Sequence, residues 1–468
     1  MQNNNEIILK IDSLSSEGKG VARSDGKVFF VDGGVPGDVV RCIEVRSKKT
    51  YSNVRVIEIL EPSQHRVQPR CKYFGTCGGC KLQYLDYKSQ LEFKYKNVVD
   101  AFERIGGIKN PNVLPVIGSG DDYFYRNKME FTFSNQKWLT REEIDSGNEI
   151  EKTFGLGLHI PKVFDKVLDI NECWLQKEQT NKIINFTREF VRENELTIYT
   201  TKTHEGYLRH LVIRTSEATG EIMVNLVTTY DKPAMMKKYS ELLTQNVPEV
   251  TTVVNNVTSR KSMVAVGETE RVYHGSGFIY EKLGGYKFRI SANSFFQTNS
   301  KQAERLYSVV KNFATLKGDE VVYDLYSGTG SIALYISDSA SEVVGIEVVE
   351  SAIQDAKLNA ELNQIDNCHF IQGDLKEKLT KETEWLNHHP KPDVIILDPP
   401  RSGMHPKVVT EIAVLKPNRI IYVSCNPTTQ ARDIRTLIES GYILEAIQPV
   451  DMFPHTFHIE TVALLTCP

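Results

Sequence analysis

Cys425 closes a run of strand-forming residues, IYVSC (421–425), and the pair Asn426-Pro427 follows at once. Proline lacks an N–H and fixes its φ, so the strand is expected to stop there. The thiol then projects from a strand end, where open α/β sheets keep ligands and reactive groups. A thiolate so placed is a nucleophile for covalent catalysis. Further on, FPHTFHIETV (453–462) sets His455, His458 and Glu460 around the start of the apolar run TVALLT. Any of the three could take a proton by chemistry alone. A glutamate entering a buried strand is partly desolvated, which raises its pKa toward the range useful for proton abstraction.

Two more groups carry chemistry. Residues 71–80, CKYFGTCGGC, place Cys71, Cys77 and Cys80 in a C-x5-C-x2-C run. In an intracellular chain such a run reads as metal ligands rather than disulfides. Zinc sites bring a second C-x2-C or an H-x3-5-H pair, and neither is present; the spacing is nearer the C-x4-C-x2-C of plant-type ferredoxins. A fourth ligand is needed, and Cys173 in INECWLQ is the best choice outside the C-terminal domain. Spacing leaves the nuclearity open, and Cys42, Cys368 and Cys467 belong to no motif. The second group is DLYSGTGS (324–331), a strand running into a glycine-rich turn that opens a helix. Gly328 and Gly330 let the backbone approach a ligand closely. Glu347 ends the next strand, where a carboxylate can accept from both ribose hydroxyls. Asp398-Pro399-Pro400 ends a later one, a carboxylate held beside rigid prolines.

The elements that must position these groups are legible from periodicity. From about 300 onward a helix (SKQAERLYSVVKNFATL) precedes the strands VVYDLY, EVVGIEV, CHFIQG, DVIILDPP and RIIYVSC, with late candidates YILEAIQPV and TVALLT. Strand–helix alternation at this spacing predicts a doubly wound, mainly parallel sheet with ligands at the strand C-termini. Residues 6–60 alternate apolar and polar in about five short strands, an all-β unit of barrel length. A helix is expected near 84–105, stopped by Gly106-Gly107. The expected organisation is multidomain α/β: an OB-like barrel over 1–62, a central α+β unit over 63–290, and a Rossmann-like unit over 291–468. A helix near 90–118 is expected to pack on this last, catalytic unit.

At 468 residues the chain exceeds one core, and 40% hydrophobic with 25% charged residues is ordinary for a soluble protein. It has no apolar run of about 18 residues, and its start, MQNNNEIILK, lacks the order of a signal peptide. A cytoplasmic protein with no membrane partner is expected. The net charge of −4 does not by itself suggest nucleic acid. The balance is uneven, however: residues 1–130 hold 20 Lys and Arg against 16 Asp and Glu, and the remainder 36 against 44. A patch such as Arg46, Lys48 and Lys49 could meet phosphates, or be a solvated face.

Ala333 occupies the third glycine position of G-x-G-x-x-G. NAD remains possible, but G-x-G with an acidic strand end and a D-P-P strand end better resembles a class I S-adenosylmethionine-dependent methyltransferase. Such chemistry needs a nucleophile on the acceptor, and C5 of uracil is too poor a nucleophile unaided. A thiolate adding to C6 turns C5 into an enolate carbon that can take the methyl. A base must then remove the C5 proton so that the cysteine leaves.

FFQTN (295–299), DLYSGTGSIAL, DPPRSG, YVSCNP and FPHTFHIETV together closely resemble the motifs of the RNA uracil-C5-methyltransferase family, and the resemblance covers nearly the whole chain. It implies Cys425 as nucleophile and Glu460 as base. It implies Gln297, Tyr326, Glu347 and Asp398 as contacts to S-adenosylmethionine, with Ser331 and Asp374 as further ones. It also implies a [4Fe–4S] cluster on Cys71, Cys77, Cys80 and Cys173. Many relatives have Phe and Cys where DLYSG has Tyr326 and Ser327; a tyrosine can still stack. The N-terminal unit resembles a TRAM domain, an OB-like barrel that binds RNA, with Arg46, Lys48, Lys49 and Tyr51 as contacts. YFYRNK (123–128) is suited to a nucleotide flipped out of its stack. The expected activity is C5 methylation of a uridine in 23S rRNA by a monomer, with no DNA partner. A tRNA enzyme and a non-catalytic RNA-binding protein are the alternatives. A redox enzyme lacks support from any flavin fingerprint or C-x3-C-x2-C motif, and SGTGS with Glu347 speaks against a folate-dependent route.

Overall fold

The computed structural model describes residues 6–161, 163, 165–379 and 389–468. The site rests on a seven-stranded sheet built from β1 (Val321–Leu325), β2 (Glu342–Glu347), β3 (Cys368–Gln372), β4 (Val394–Leu397), β5 (Arg419–Ser424), β6 (Ile443–Val450) and β7 (Glu460–Thr466). Their order is β3-β2-β1-β4-β5-β7-β6, with β7 antiparallel to both neighbours and the others parallel. The sequence makes this sheet because β1, β4 and β5 are near-continuous apolar runs, suited to strands buried on both faces. Period-2 alternation then sorts their side chains. Val322, Ile396, Ile421 and Val423 enter one core, and Tyr323, Leu325, Ile395 and Tyr422 the other.

Three helices matter for the site: α1 (Tyr87–Arg104), α2 (Ser300–Ala314) and α3 (Pro427–Glu439). Asp86 caps α1 by accepting from the Ser89 N–H, and the chain turns at Gly107 with φ 69°. Although α1 lies far upstream, Val98 and Phe102 enter the core shared with β1 and β5. The following segment runs parallel beside β6, bridging Val113 to Ile447 and Ile117 to Val450.

A central eight-stranded sheet includes Lys128–Ser134, Leu208–Thr215, Ile222–Thr228 and Thr252–Val257, backed by the helices Glu178–Glu193 and Pro233–Asn246. The hairpin Phe278–Leu283/Tyr286–Ser291 puts Ile279, Leu283, Phe288 and Ile290 into a core of the seven-stranded sheet. Residues 6–61 form six strands rather than about five, because the two-residue pair Ser13–Leu14 joins the sheet. Leu9 from one side of that sheet and Ala22 and Phe29 from the other share a single small core.

Candidate active site

A strand register brings Cys425 and Glu460 together. β5 and β7 are antiparallel with Ser424 opposite Thr461. The next pair outward, one residue after Ser424 and one before Thr461, is Cys425 and Glu460, at the edge where the parallel strands end. Thr461 Oγ1 locks the pairing by donating to the Ser424 carbonyl at 3.2 Å. Beyond Cys425, Asn426 caps α3 by accepting from the Thr428 N–H at 3.2 Å, with Pro427 in the first turn. The Asn426 side-chain amide also donates to the Arg401 carbonyl at 3.1 Å, and Thr429 Oγ1 donates to it at 3.3 Å. The loop after Asp398-Pro399-Pro400 is thereby tied to the cysteine turn.

The electrostatics follow from burial. Burial, then the Glu460 carboxylate, pushes the Cys425 thiol up to about 11, and Arg401 opposes them. Glu460 is buried, and desolvation with the nearby Asp398 charge holds its pKa well above the usual carboxylate value, again against Arg401. Burial raises Asp398 to about 7. Asp324 rises to about 8 through burial and the Asp398 charge, although it accepts from the Ala333 N–H at 3.0 Å. Three carboxyl groups thus crowd one dry region where all three cannot cheaply ionise. Such a region favours a cationic ligand.

Each histidine has a polar partner of its own. Arg401 Nη2 lies 3.2 Å from His458 Nδ1, and His455 Nδ1 lies 3.2 Å from Gln90 Nε2. Burial lowers both to about 4. Of the three possible bases, Glu460 is the one that the register sets against Cys425.

The expected cofactor contacts gather at the ends of adjacent strands. Tyr326 follows β1 in a left-handed conformation, φ 67°, and its N–H donates to the Ile346 carbonyl at 3.0 Å. Glu347 accepts from the N–H groups of Gly328 at 3.1 Å, Val348 at 2.8 Å and Val349 at 2.9 Å. Those bonds fix its carboxylate beside the glycine turn. Gly330 has φ 76°, and a Cβ there would stand 2.8 Å from the Phe370 ring, so this position excludes any side chain. Asp374, beyond β3, accepts from the Lys376 N–H at 2.9 Å and pairs with the Lys376 ammonium at 3.0 Å. Ser331 Oγ is 2.9 Å from the Tyr307 hydroxyl. Gln297 lies on the loop before α2, its carbonyl accepting from Asn127 Nδ2 at 2.9 Å, and Thr329 Oγ1 joins that loop to the glycine turn by donating to the Phe295 carbonyl at 3.4 Å.

Three groups at this site carried no role in the sequence reading. Tyr307, on α2, is buried and feels the charges of Asp398, Asp324 and Glu460; nothing in a helical run such as ERLYSVV marks it. Arg401 could have been singled out, since it follows Asp398-Pro399-Pro400 directly. Asp324 opens the glycine-turn motif, but its burial is not visible in the motif.

The family model described as tRNA (Uracil-5-)-methyltransferase matches residues 221–467. A protein named an uncharacterized RNA methyltransferase from Chlorobaculum tepidum is 48% identical over 92% of this chain and 89% of its own length. The chain belongs to this family of RNA uracil-C5-methyltransferases. Another relative bearing that name, from Bacteroides thetaiotaomicron, is 44% identical over 97% of this chain and 99% of its own. Among solved structures, the Pyrococcus abyssi tRNA (uracil-54, C5)-methyltransferase in complex with S-adenosyl-L-homocysteine is 31% identical with a TM-score of 0.75. It covers 98% of this chain and 100% of its own. The protein is therefore an S-adenosylmethionine-dependent RNA methyltransferase, and its RNA-modifying domain has the fold expected from the strand pattern. The match to the archaeal tRNA enzyme spans the N-terminal β unit as well, so that unit does not by itself separate an rRNA from a tRNA substrate.

In this methyltransferase Cys71, Cys77, Cys80 and Cys173 line one cavity of about 550 Å³. Burial pushes the Cys80 and Cys173 thiols up to about 12, and the neighbouring cysteines add to each shift. Cys77 Sγ accepts from the Gly79 N–H at 3.4 Å. Among the described residues no group of three or more His, Cys, Asp or Glu side chains is arranged to hold a metal ion. Among the described residues, too, no helix is long and apolar enough to cross a membrane.

Proposed function

We propose that the enzyme methylates C5 of a uridine through a covalent bond between Cys425 Sγ and C6 of the base. The observation that carries this is the antiparallel register that sets a buried glutamate beside a strand-end cysteine. Cys425 gives up its proton to water, a loss that Arg401 favours and burial opposes, and its sulfur bonds to C6 while the pair of electrons from the C5–C6 double bond moves onto C5 and O4. S-adenosylmethionine, when bound, supplies an electrophilic methyl on a sulfonium sulfur. Tyr326, Glu347, Asp398 and Gln297 would hold it, aided by Ser331 and Asp374, and the crowded carboxyls suit its positive charge. Glu460 then takes the C5 proton, the C5–C6 double bond re-forms, and the Cys425 thiolate leaves. A carboxylate with a raised pKa is the stronger base for this step. Both reacting carbons are reachable only after the nucleotide leaves its stack.

The RNA is proposed to be 23S rRNA, held in part by an OB-like TRAM barrel over 1–62. Lys48 Nζ lies 5.4 Å above the Tyr51 ring there, a cation–aromatic pair suited to a phosphate and a base. A tRNA uridine is the second reading, favoured by the match to the archaeal tRNA enzyme. The cysteine cavity is proposed to take a [4Fe–4S] cluster: four thiols line one cavity, the donor type and number that such a cluster uses. The units over 63–290 and 291–468 are proposed as the iron–sulfur and catalytic domains of a monomer. Mapping 5-methyluridine in the rRNA and tRNA of a strain lacking the gene tests the target. Loss at one 23S position supports the first reading, loss from tRNA alone the second, and no loss from either overturns both.

A further inference from the structure

Gln90 is fully buried on α1 and is remote in sequence from every group that reacts. Its side-chain oxygen accepts from the His455 N–H at 2.9 Å, and its amide nitrogen lies 3.2 Å from His455 Nδ1. The same nitrogen donates to the carbonyls of Leu82 at 3.1 Å and Leu85 at 2.8 Å. The His455 carbonyl in turn accepts from the N–H groups of Lys81 at 2.7 Å and Leu82 at 3.0 Å. Gripped through its N–H and its carbonyl, His455 holds φ at 64°. Residues other than glycine keep that conformation only where their surroundings enforce it. The chain from here to Glu460 is short and internally braced, since the Thr456 hydroxyl donates to the Phe453 carbonyl at 2.8 Å and accepts from the His458 N–H at 3.2 Å. Glu460 then begins β7. Cys425 arrives on a different segment, at the end of β5, and the cofactor contacts on others again.

We propose that Gln90 is a positioning residue for proton abstraction: by pinning His455 to α1 it fixes where Glu460 stands relative to the substrate carbon. The proposal rests on the reading of Glu460 as the base. It also makes the cysteine-bearing loop, through Lys81 and Leu82, part of the same brace. Because the brace leads to Glu460 and not to Cys425, loosening it slows the second half of the reaction and spares the first.

The test uses the full-length enzyme, an RNA that the wild type methylates, and S-adenosylmethionine labelled in its methyl group. Gln90→Met keeps the side-chain volume but forms none of these bonds. Misplacing a catalytic group slightly lowers a rate by about 10- to 100-fold. The expected result is elimination slowed by that factor, single-turnover methyl transfer unchanged, and a methylated protein–RNA adduct accumulating on a denaturing gel. Hydrogen exchange at the Leu82 and His455 amides should quicken in the same variant, a change independent of activity. Gln90→Glu retains an oxygen for the His455 N–H and should fall between the two; it carries the test if Gln90→Met does not fold. Transfer and elimination falling by one common factor, or neither changing, overturns the proposal. Run alongside, Glu460→Gln separates the two ideas. If it traps adduct and Gln90→Met does not, the brace falls and the base stands; if it turns over normally, both fall.

Discussion

Arg401 opposes, at both Cys425 and Glu460, the burial that keeps a proton on each. Its removal raises both pKa values, so Arg401→Met should move the rising limb of the kcat/KM profile toward higher pH; a limb that stays or moves lower contradicts this. A second titration concerns stability. Asp324 at about 8 and Asp398 at about 7 lie above their ordinary value in the folded chain. The folded protein therefore holds protons that the unfolded chain has released, and the sign is fixed by linkage. That stabilisation is complete below the ordinary carboxylate value, near pH 4, and is lost as pH rises through about 7 to 8. The Tm of the ligand-free protein should fall over this window, and Asp398→Asn should flatten the fall; scanning calorimetry across pH reads both. Reading residues by chemical type singled out Cys425 as a candidate nucleophile and left the base open among His455, His458 and Glu460. The choice depends on a register between distant strands, which local sequence does not encode. Tyr307 and Gln90 were invisible for the same reason: each is an unremarkable residue on a helix until its neighbours are known.

Helix α1 was legible as an element, from its apolar spacing and the Gly106-Gly107 stop. Beyond packing, and beside Gln90, it carries Lys94, whose ammonium lies 2.6 Å from the Asp451 carboxylate with both side chains fully buried. Asp451 also accepts from the Tyr87 hydroxyl at 2.9 Å and the Phe453 N–H at 3.1 Å. This bond joins α1 to the segment between β6 and β7. Removing one partner of a buried pair leaves the other charge uncompensated, so Lys94→Met should cost about 3–5 kcal/mol in denaturant unfolding. A loss below about 1 kcal/mol, the range of surface pairs, would show that the pair is not buried in solution. The strands of the seven-stranded sheet were the most readable elements, because continuous apolar runs such as VVYDL and RIIYVS have few other uses. Turn geometry was less so: the left-handed Tyr326 and His455 follow from tertiary bonds, not from their residue type.

Across the whole molecule, one chain of contacts runs from the cysteine cavity through His455 to the start of β7. Anaerobically purified protein should carry iron and absorb broadly in the visible, and replacing Cys71, Cys77, Cys80 or Cys173 with Ser should abolish both; zinc without iron would contradict the cluster. Loss should also destabilise the central unit, since metal binding and folding are coupled. The cysteine spacing pointed to side chains that line one cavity, whereas the identity of the RNA stayed hidden: substrate choice depends on an extended surface, and the charge along the chain is only mildly uneven. The reaction itself is tested most directly by stopping it half way. Glu460→Gln, incubated with RNA and methyl-labelled S-adenosylmethionine, should yield a heat-stable, nuclease-sensitive band on a denaturing gel that carries the label, and Cys425→Ala, while still binding the cofactor, should yield none. Normal turnover by Glu460→Gln, or a band from Cys425→Ala, would contradict the account.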